Sequence, residues 1–91
     1  MKTFRPSMYG SEQLLLREWL VSQRKAAKLT QRQLADKLQV VRSLVGKVES
    51  GERRLDVVEF VHYCRAMGAE PTEFFTFLKQ QPSDEAGSTG S

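Results

Sequence analysis

Residues 30–51, TQRQLADKLQVVRSLVGKVESG, constrain this chain more than any other stretch. Thr30 is a good N-cap, Gln33 stands at N3 to complete a capping box, and Leu29 and Leu34 are spaced as the hydrophobic staple around it. A helix therefore starts at this point, with Leu34, Ala35 and Leu38 as its inner face. A second helix is expected from about Arg42 to Glu49. It buries Val45 and Val48 and has Gly51 available for a left-handed stop. Two short helices separated by only a tight turn cannot each bury an apolar stripe alone, so the rest of the chain must supply the remaining core.

The flanking sequence supplies it in helical form, and no convincing strand pattern occurs. A first helix is expected from an N-cap at Ser11 to about Lys28, with Leu16, Trp19, Leu20 and Ala27 on one side. A fourth repeats the capping logic: Asp56 as N-cap, Glu59 at N3, and Leu55 with Phe60 as staple. It is expected to bury Val57, Phe60, Cys64 and Met67 and to end at Gly68. A fifth begins at Pro71, suited to the first helical position, and runs to about Gln80, with Glu73 meeting the positive end of its dipole. The fold class is all-α with five helices over residues 11–80. Residues 1–10, with Lys2, Phe4, Arg5, Pro6 and Tyr9, read as an N-terminal arm, and residues 81–91 as a disordered, Pro/Gly/Ser-rich tail.

Ninety-one residues allow one domain with a modest core, one that would gain from a partner subunit. No stretch approaches the roughly 18 apolar residues of a membrane helix, and no signal-peptide core is visible. The single cysteine, Cys64, cannot form an internal disulfide, so a cytoplasmic, nucleoid-associated location is expected. Net charge is only +3, but it is unevenly placed. Arg17 to Arg54 holds ten Lys or Arg against four acids, a balance of +6, whereas Leu55 to Ser91 holds two against six, a balance of −4. Such a layout turns one side toward a polyanion and leaves the other for protein contacts.

The spaced set LTQRQLA (residues 29–35), Val40, Val45 and Val48, VESGERR (residues 48–54) and MGAEPTEFF (residues 67–75) resembles the lambda-repressor-like (XRE, Cro/repressor-type) helix-turn-helix DNA-binding family. The resemblance covers roughly Leu16 to Phe75 and implies that helices 2 and 3 are the helix-turn-helix, the second reading the major groove. It gives Gln31 a phosphate contact at the start of helix 2. Gln33 has two uses open to it, a phosphate or base contact and the capping box. Arg42, Ser43 and Lys47 fall at positions that face base edges; Arg42 suits guanine O6 and N7, and Lys47 guanine or a phosphate. Leu44 is left between a thymine-methyl contact and core packing. Arg53 and Arg54 match positions that grip the DNA backbone, which fixes register without reading sequence. Arg24 and Glu49 match an inter-helix ion pair, a structural role.

Three departures from the family pattern carry a cost. Val41 replaces the usual Ser or Thr N-cap of helix 3, at about 1 kcal/mol. Gln39 replaces a turn glycine, costing roughly 1 kcal/mol if its φ is positive. Gly46 sits inside helix 3, about 1 kcal/mol worse than alanine, although a missing Cβ would also allow close approach to a groove. Together they imply a recognition helix that is marginal alone and firms up on DNA.

Helix 5 packs Phe74, Phe75, Phe77 and Leu78 into five positions, with Phe74 and Leu78 on one face and Phe75 and Phe77 away from it. That much aromatic surface predicts a two-fold dimer through helix 5, setting two recognition helices about 34 Å apart. His62 and Cys64 lie two positions apart and point differently, and no other His or Cys joins them. No catalytic, cofactor or metal site is expected, and an enzyme is not. The reading is therefore a transcriptional regulator, a repressor binding a palindromic operator in double-stranded DNA as a homodimer. The alternative is an antitoxin or other protein-interaction module of the same fold, acting on a partner such as a cognate toxin through the Phe-rich face.

Overall fold

Helix ends set this architecture, and four of them close in the same way. In the computed structural model, which describes residues 10–81, the helices are α1 (Gly10–Ala26), α2 (Gln31–Leu38), α3 (Arg42–Ser50), α4 (Val57–Met67) and α5 (Pro71–Gln80). Lys28, Gln39, Gly51 and Gly68 each adopt a positive φ just past a helix. Each time the next residue's N–H reaches back to a carbonyl five positions earlier: Leu29 to Arg24 (3.1 Å), Val40 to Ala35 (3.0 Å), Glu52 to Lys47 (2.9 Å) and Ala69 to Cys64 (2.8 Å). This motif satisfies carbonyls that a helix end would otherwise orphan. Lys28 and Gln39 hold the left-handed conformation with a Cβ, at about 1–2 kcal/mol each.

The helix starts divide into made and unmade caps. Thr30 and Asp56 both form complete capping boxes, with Gln33 and Glu59 respectively. Val41 and Glu70 make no side-chain cap bond; at Glu70 the next residue is Pro71, whose ring presets the helical φ.

One core joins all five helices: Trp19 and Leu20 from α1, Leu34 and Ala35 from α2, Val45 and Val48 from α3, Phe60, Tyr63, Cys64 and Met67 from α4, and Phe74 from α5. Trp19, Phe60 and Phe74 form an aromatic triangle, with centroids 5.5–6.1 Å apart, that fixes α1, α4 and α5 together. The valines of α3 are almost fully buried, so its other face is turned outward by packing.

Several expectations change. Ser11 is not an N-cap: α1 already includes Gly10, and the Ser11 hydroxyl faces the Glu12 carboxylate. The same helix stops at Ala26 rather than Lys28, because Lys28 turns left-handed. Val57 was expected in the core and is instead 78% exposed, since Leu55 covers the core there and Val57 stands beside an open groove. Tyr63, which was not expected in the core, is buried. Phe77 was expected to lie away from the core but is partly buried against it, its ring 6.3 Å from Phe74. The arm and tail expected over residues 1–10 and 81–91 fall outside the described residues, apart from Gly10 and Gln81.

Candidate nucleic-acid interface

With Val45 and Val48 locked inward, α3 presents Arg42, Ser43 and Lys47 as an exposed face, with Leu44 half-buried at its edge. Arg42 and Ser43 open the helix, and Lys47 follows one turn later on the same side. This gives two cations and a hydroxyl on a rod of about 10–12 Å diameter, dimensions that suit a DNA major groove.

The rear of that helix is held by a partly buried ionic network. Arg24 Nε donates to Glu49 Oε2 at 2.7 Å and its NH2 to Oε1 at 3.2 Å, with the two side chains only 11% and 8% exposed. A third N–H of Arg24 reaches the Leu29 carbonyl (2.8 Å), tying the α1–α2 turn into the network. Gln31 Nε2 also donates to Glu49, at 2.9 Å, and Gln31 Oε1 accepts from Arg42 NH1 at 3.4 Å. A chain of polar contacts thus runs from α1 through Glu49 and Gln31 to the first residue of the exposed face. The Arg24–Glu49 pair was expected from the family resemblance, but the part played by Gln31 was not. Nothing in sequence spacing signals a contact between residues 31 and 49.

Gly46 lies where the Gln31 amide crosses α3; a Cβ built there would meet Gln31 Oε1 at 3.8 Å, an ordinary contact. Gln33 makes the capping box, its Oε1 accepting from the Thr30 N–H at 2.9 Å, and its side chain remains exposed.

Beyond α3 the two arginines behave differently. Arg53 grips Glu59 through two nitrogens at 2.7 and 3.2 Å, a pair of which neither side chain is fully buried. That guanidinium, together with the Asp56 N–H, holds the Glu59 carboxyl down to a pKa of about 2. Arg54 is exposed and makes no ion pair among the described residues. A further arginine, Arg17 of α1, donates from NH1 to the Ser50 carbonyl at 2.7 Å and so covers the last turn of α3. Sequence reasoning assigned it no role.

The other reactive types stand apart from this face. Cys64 is fully buried, and burial pushes its thiol up to about 11, out of the nucleophilic range. His62 is exposed on α4. Among the described residues no group of three or more His, Cys, Asp or Glu is arranged to hold a metal ion. No described helix is long and apolar enough to cross a membrane.

Comparison with known proteins gives two matches that bear on this geometry. A family model described as a helix-turn-helix domain matches residues 16–74, which span α2 and α3 and most of their support. Among solved structures, an XRE-family like protein from Pseudomonas syringae pv. tomato str. DC3000 is 37% identical to this chain. That match covers 80% of this chain and 89% of the other, with a TM-score of 0.76. No curated protein gives a significant match.

Proposed function

Because the chain belongs to the XRE-like helix-turn-helix family, we propose that it is a sequence-specific transcriptional regulator, a repressor that binds a palindromic operator as a homodimer on the nucleoid. Membership alone supports the coarser statement, a DNA-binding regulator of a generally non-enzymatic family. One observation carries the finer reading: Arg42, Ser43 and Lys47 stand exposed on a helix whose opposite face is locked into the core. In this reading Arg42 reads guanine, Ser43 and Lys47 read neighbouring base edges, and Leu44 touches a thymine methyl at the groove edge. Gln31 and Gln33 meet phosphate at the start of α2, while Arg53 and Arg54 meet it after α3. Arg53 contributes less charge than Arg54, because Glu59 already neutralises it.

The dimer reading moves along the surface from where the sequence put it. Of Phe74, Phe75, Phe77 and Leu78, the first is core and the last two are partly buried, which leaves Phe75 at 56% exposure. Phe75 stands with the exposed Val57 beside a groove of about 160 Å³ that Leu16, Leu55, Phe60 and Phe74 also line, and the exposed Val58 follows Val57 on α4. Exposed apolar surface of this kind marks an interface more often than bare solvent. The proposed two-fold contact therefore centres on Phe75, Val57 and Val58. The same face would serve an antitoxin bound to its toxin. A protein that remains monomeric at high micromolar concentration and on DNA would favour that second reading and remove the dimer.

Selection of bound sites from random duplexes tests the whole reading, with a palindromic consensus expected. Against that consensus, Arg42→Ala is expected to cost about 1–3 kcal/mol and relax preference at one base pair. Arg54→Ala is expected to weaken operator and random DNA alike. If the two variants behave identically on both duplexes, the assignment of base reading to Arg42 is wrong.

A further inference from the structure

The C-terminus of α3 presents a physical difficulty for any protein that sets DNA phosphates beside the loop that follows. The carbonyl end of a helix carries about half a negative charge and repels an anion. Arg17 sits on that end. Its NH1 donates to the Ser50 carbonyl at 2.7 Å, and its guanidinium lies directly over Gly51. A Cβ added at Gly51 would come within 2.8 Å of Arg17 Cζ, so this glycine leaves the room that the arginine occupies.

Three further features set Arg17 apart from an ordinary capping side chain. It makes no ion pair among the described residues, so its charge is not neutralised by a carboxylate. Its Nε is buried with no hydrogen-bond partner, a state that costs about 1–3 kcal/mol and is relieved by any movement that offers an acceptor. It also lines an open cleft of about 210 Å³ together with Gln13, Gly51, Arg53, Arg54 and Leu55. Of the acids nearby, Glu59 holds Arg53, while Glu52 accepts from the Ser50 hydroxyl at 3.1 Å, a neutral donor that leaves its charge in place.

We propose that Arg17 and Arg54 form a phosphate cradle at the C-terminus of α3, with Arg17 binding a phosphodiester oxygen of the DNA backbone. Arg17 does two things at this place. It covers the negative end of the recognition helix, and it supplies the charge that draws a phosphate to a position the helix dipole would otherwise disfavour. Its Nε–H, which has no partner in the free protein, gains an acceptor when a phosphate enters the cleft, while NH1 stays on the Ser50 carbonyl. The assignment rests on the DNA-binding reading above and adds to it a contact from α1.

The test uses the full chain on its selected operator and on a random duplex of equal length, with affinity measured between about 50 and 200 mM salt. Arg17→Gln removes the charge and keeps a shorter polar side chain at the same place. Its salt slope is expected to be about 0.9 shallower than wild type on both duplexes, so its affinity deficit shrinks about 3.5-fold across that range. Arg17→Lys keeps the charge and is expected to restore the slope. A slope unchanged in Arg17→Gln overturns the proposal. If the variant fails to fold, the wild-type Arg17 Nε–H resonance decides: duplex is expected to shift it, and no shift overturns the cradle. Inorganic phosphate added to the free protein separates the sources. If it saturates that resonance at low millimolar concentration while duplex leaves it unmoved, the cleft takes a small anion, and the backbone assignment falls. A wild type with no salt-dependent binding would sink the DNA-binding reading itself. A shallower slope in Arg54→Gln with none in Arg17→Gln would sink only the role of Arg17.

Discussion

Replacing Glu49 with alanine tests whether the recognition helix is held from behind. The Glu49 carboxylate accepts from Arg24 Nε (2.7 Å), Arg24 NH2 (3.2 Å) and Gln31 Nε2 (2.9 Å). Without it, a guanidinium only 11% exposed keeps the Leu29 carbonyl as its remaining acceptor. Stranding a largely shielded charge in this way costs up to about 3–5 kcal/mol. A domain of this size has about 4–11 kcal/mol of stability in total, so Glu49→Ala is expected to remove about a quarter or more of it. At about 4–8 °C per kcal/mol, the melting temperature should fall by at least about 12 °C. Thermal and urea unfolding followed by circular dichroism measure this directly. The decisive comparison is Arg24→Leu combined with Glu49→Leu. With both charges gone nothing is stranded, so the double variant is expected to be more stable than Glu49→Ala, even though more atoms were changed. A double variant no more stable than Glu49→Ala, or a cost below about 1 kcal/mol in Glu49→Ala, would refute this account of the network.

Two further outcomes follow from local geometry. Gly46→Ala is expected to stabilise the free protein by about 1 kcal/mol, because the new methyl meets Gln31 Oε1 at an ordinary 3.8 Å; a lower melting temperature would show that the amide cannot accommodate it. If operator affinity falls while stability rises, Gly46 serves close approach to the groove. Glu59, with its folded pKa held near 2 by Arg53 and the Asp56 N–H, should make stability depend on acid. The folded value lies below the ordinary 4.5, so the contribution is complete above about pH 4.5 and is lost as pH falls toward 2. Glu59→Gln should flatten the unfolding curve over that window, and a slope identical to wild type would assign the dependence to other carboxylates.

The legible parts of this fold were those fixed by residues close together in sequence. Capping boxes at Thr30–Gln33 and Asp56–Glu59 are three-residue relations, and both form as the sequence indicates. Gly51 and Gly68 mark their helix ends, because glycine tolerates positive φ; Lys28 ends α1 in the same conformation without such a marker, and it was missed. Helical periodicity put Val57 and Phe60 on one face but carries no information on where the neighbouring helix stops, so Val57 was expected to be buried and is exposed. The site divides similarly. Outward placement of Arg42, Ser43 and Lys47 follows from the inward valines, whereas the partners of Gln31, Arg53 and Arg17 depend on tertiary approach across 18, 6 and 33 residues.

Those long-range partners explain how a recognition helix with weak local credentials keeps its place. α3 starts at Val41 without a side-chain cap and carries Gly46 in its interior, so its own propensity favours fraying from the N-terminal end. Its C-terminal turn is clamped by two arginines of α1: Arg24 holds Glu49, and Arg17 holds the Ser50 carbonyl. They are seven residues apart, two helical turns, and so rise from nearly the same side of α1. The clamp fixes where the helix axis points and leaves the end bearing Arg42 and Ser43 the more adjustable part. Under the proposed function that division suits base reading, because a small misorientation at the clamped end would be magnified along the rod, while adjustment at the free end would let one side chain find its base. The two halves should therefore separate in hydrogen exchange. Amides near Ser50 are expected to open only with global unfolding, while those of the first turn open locally at lower free energy, and equal protection at both ends would contradict the division.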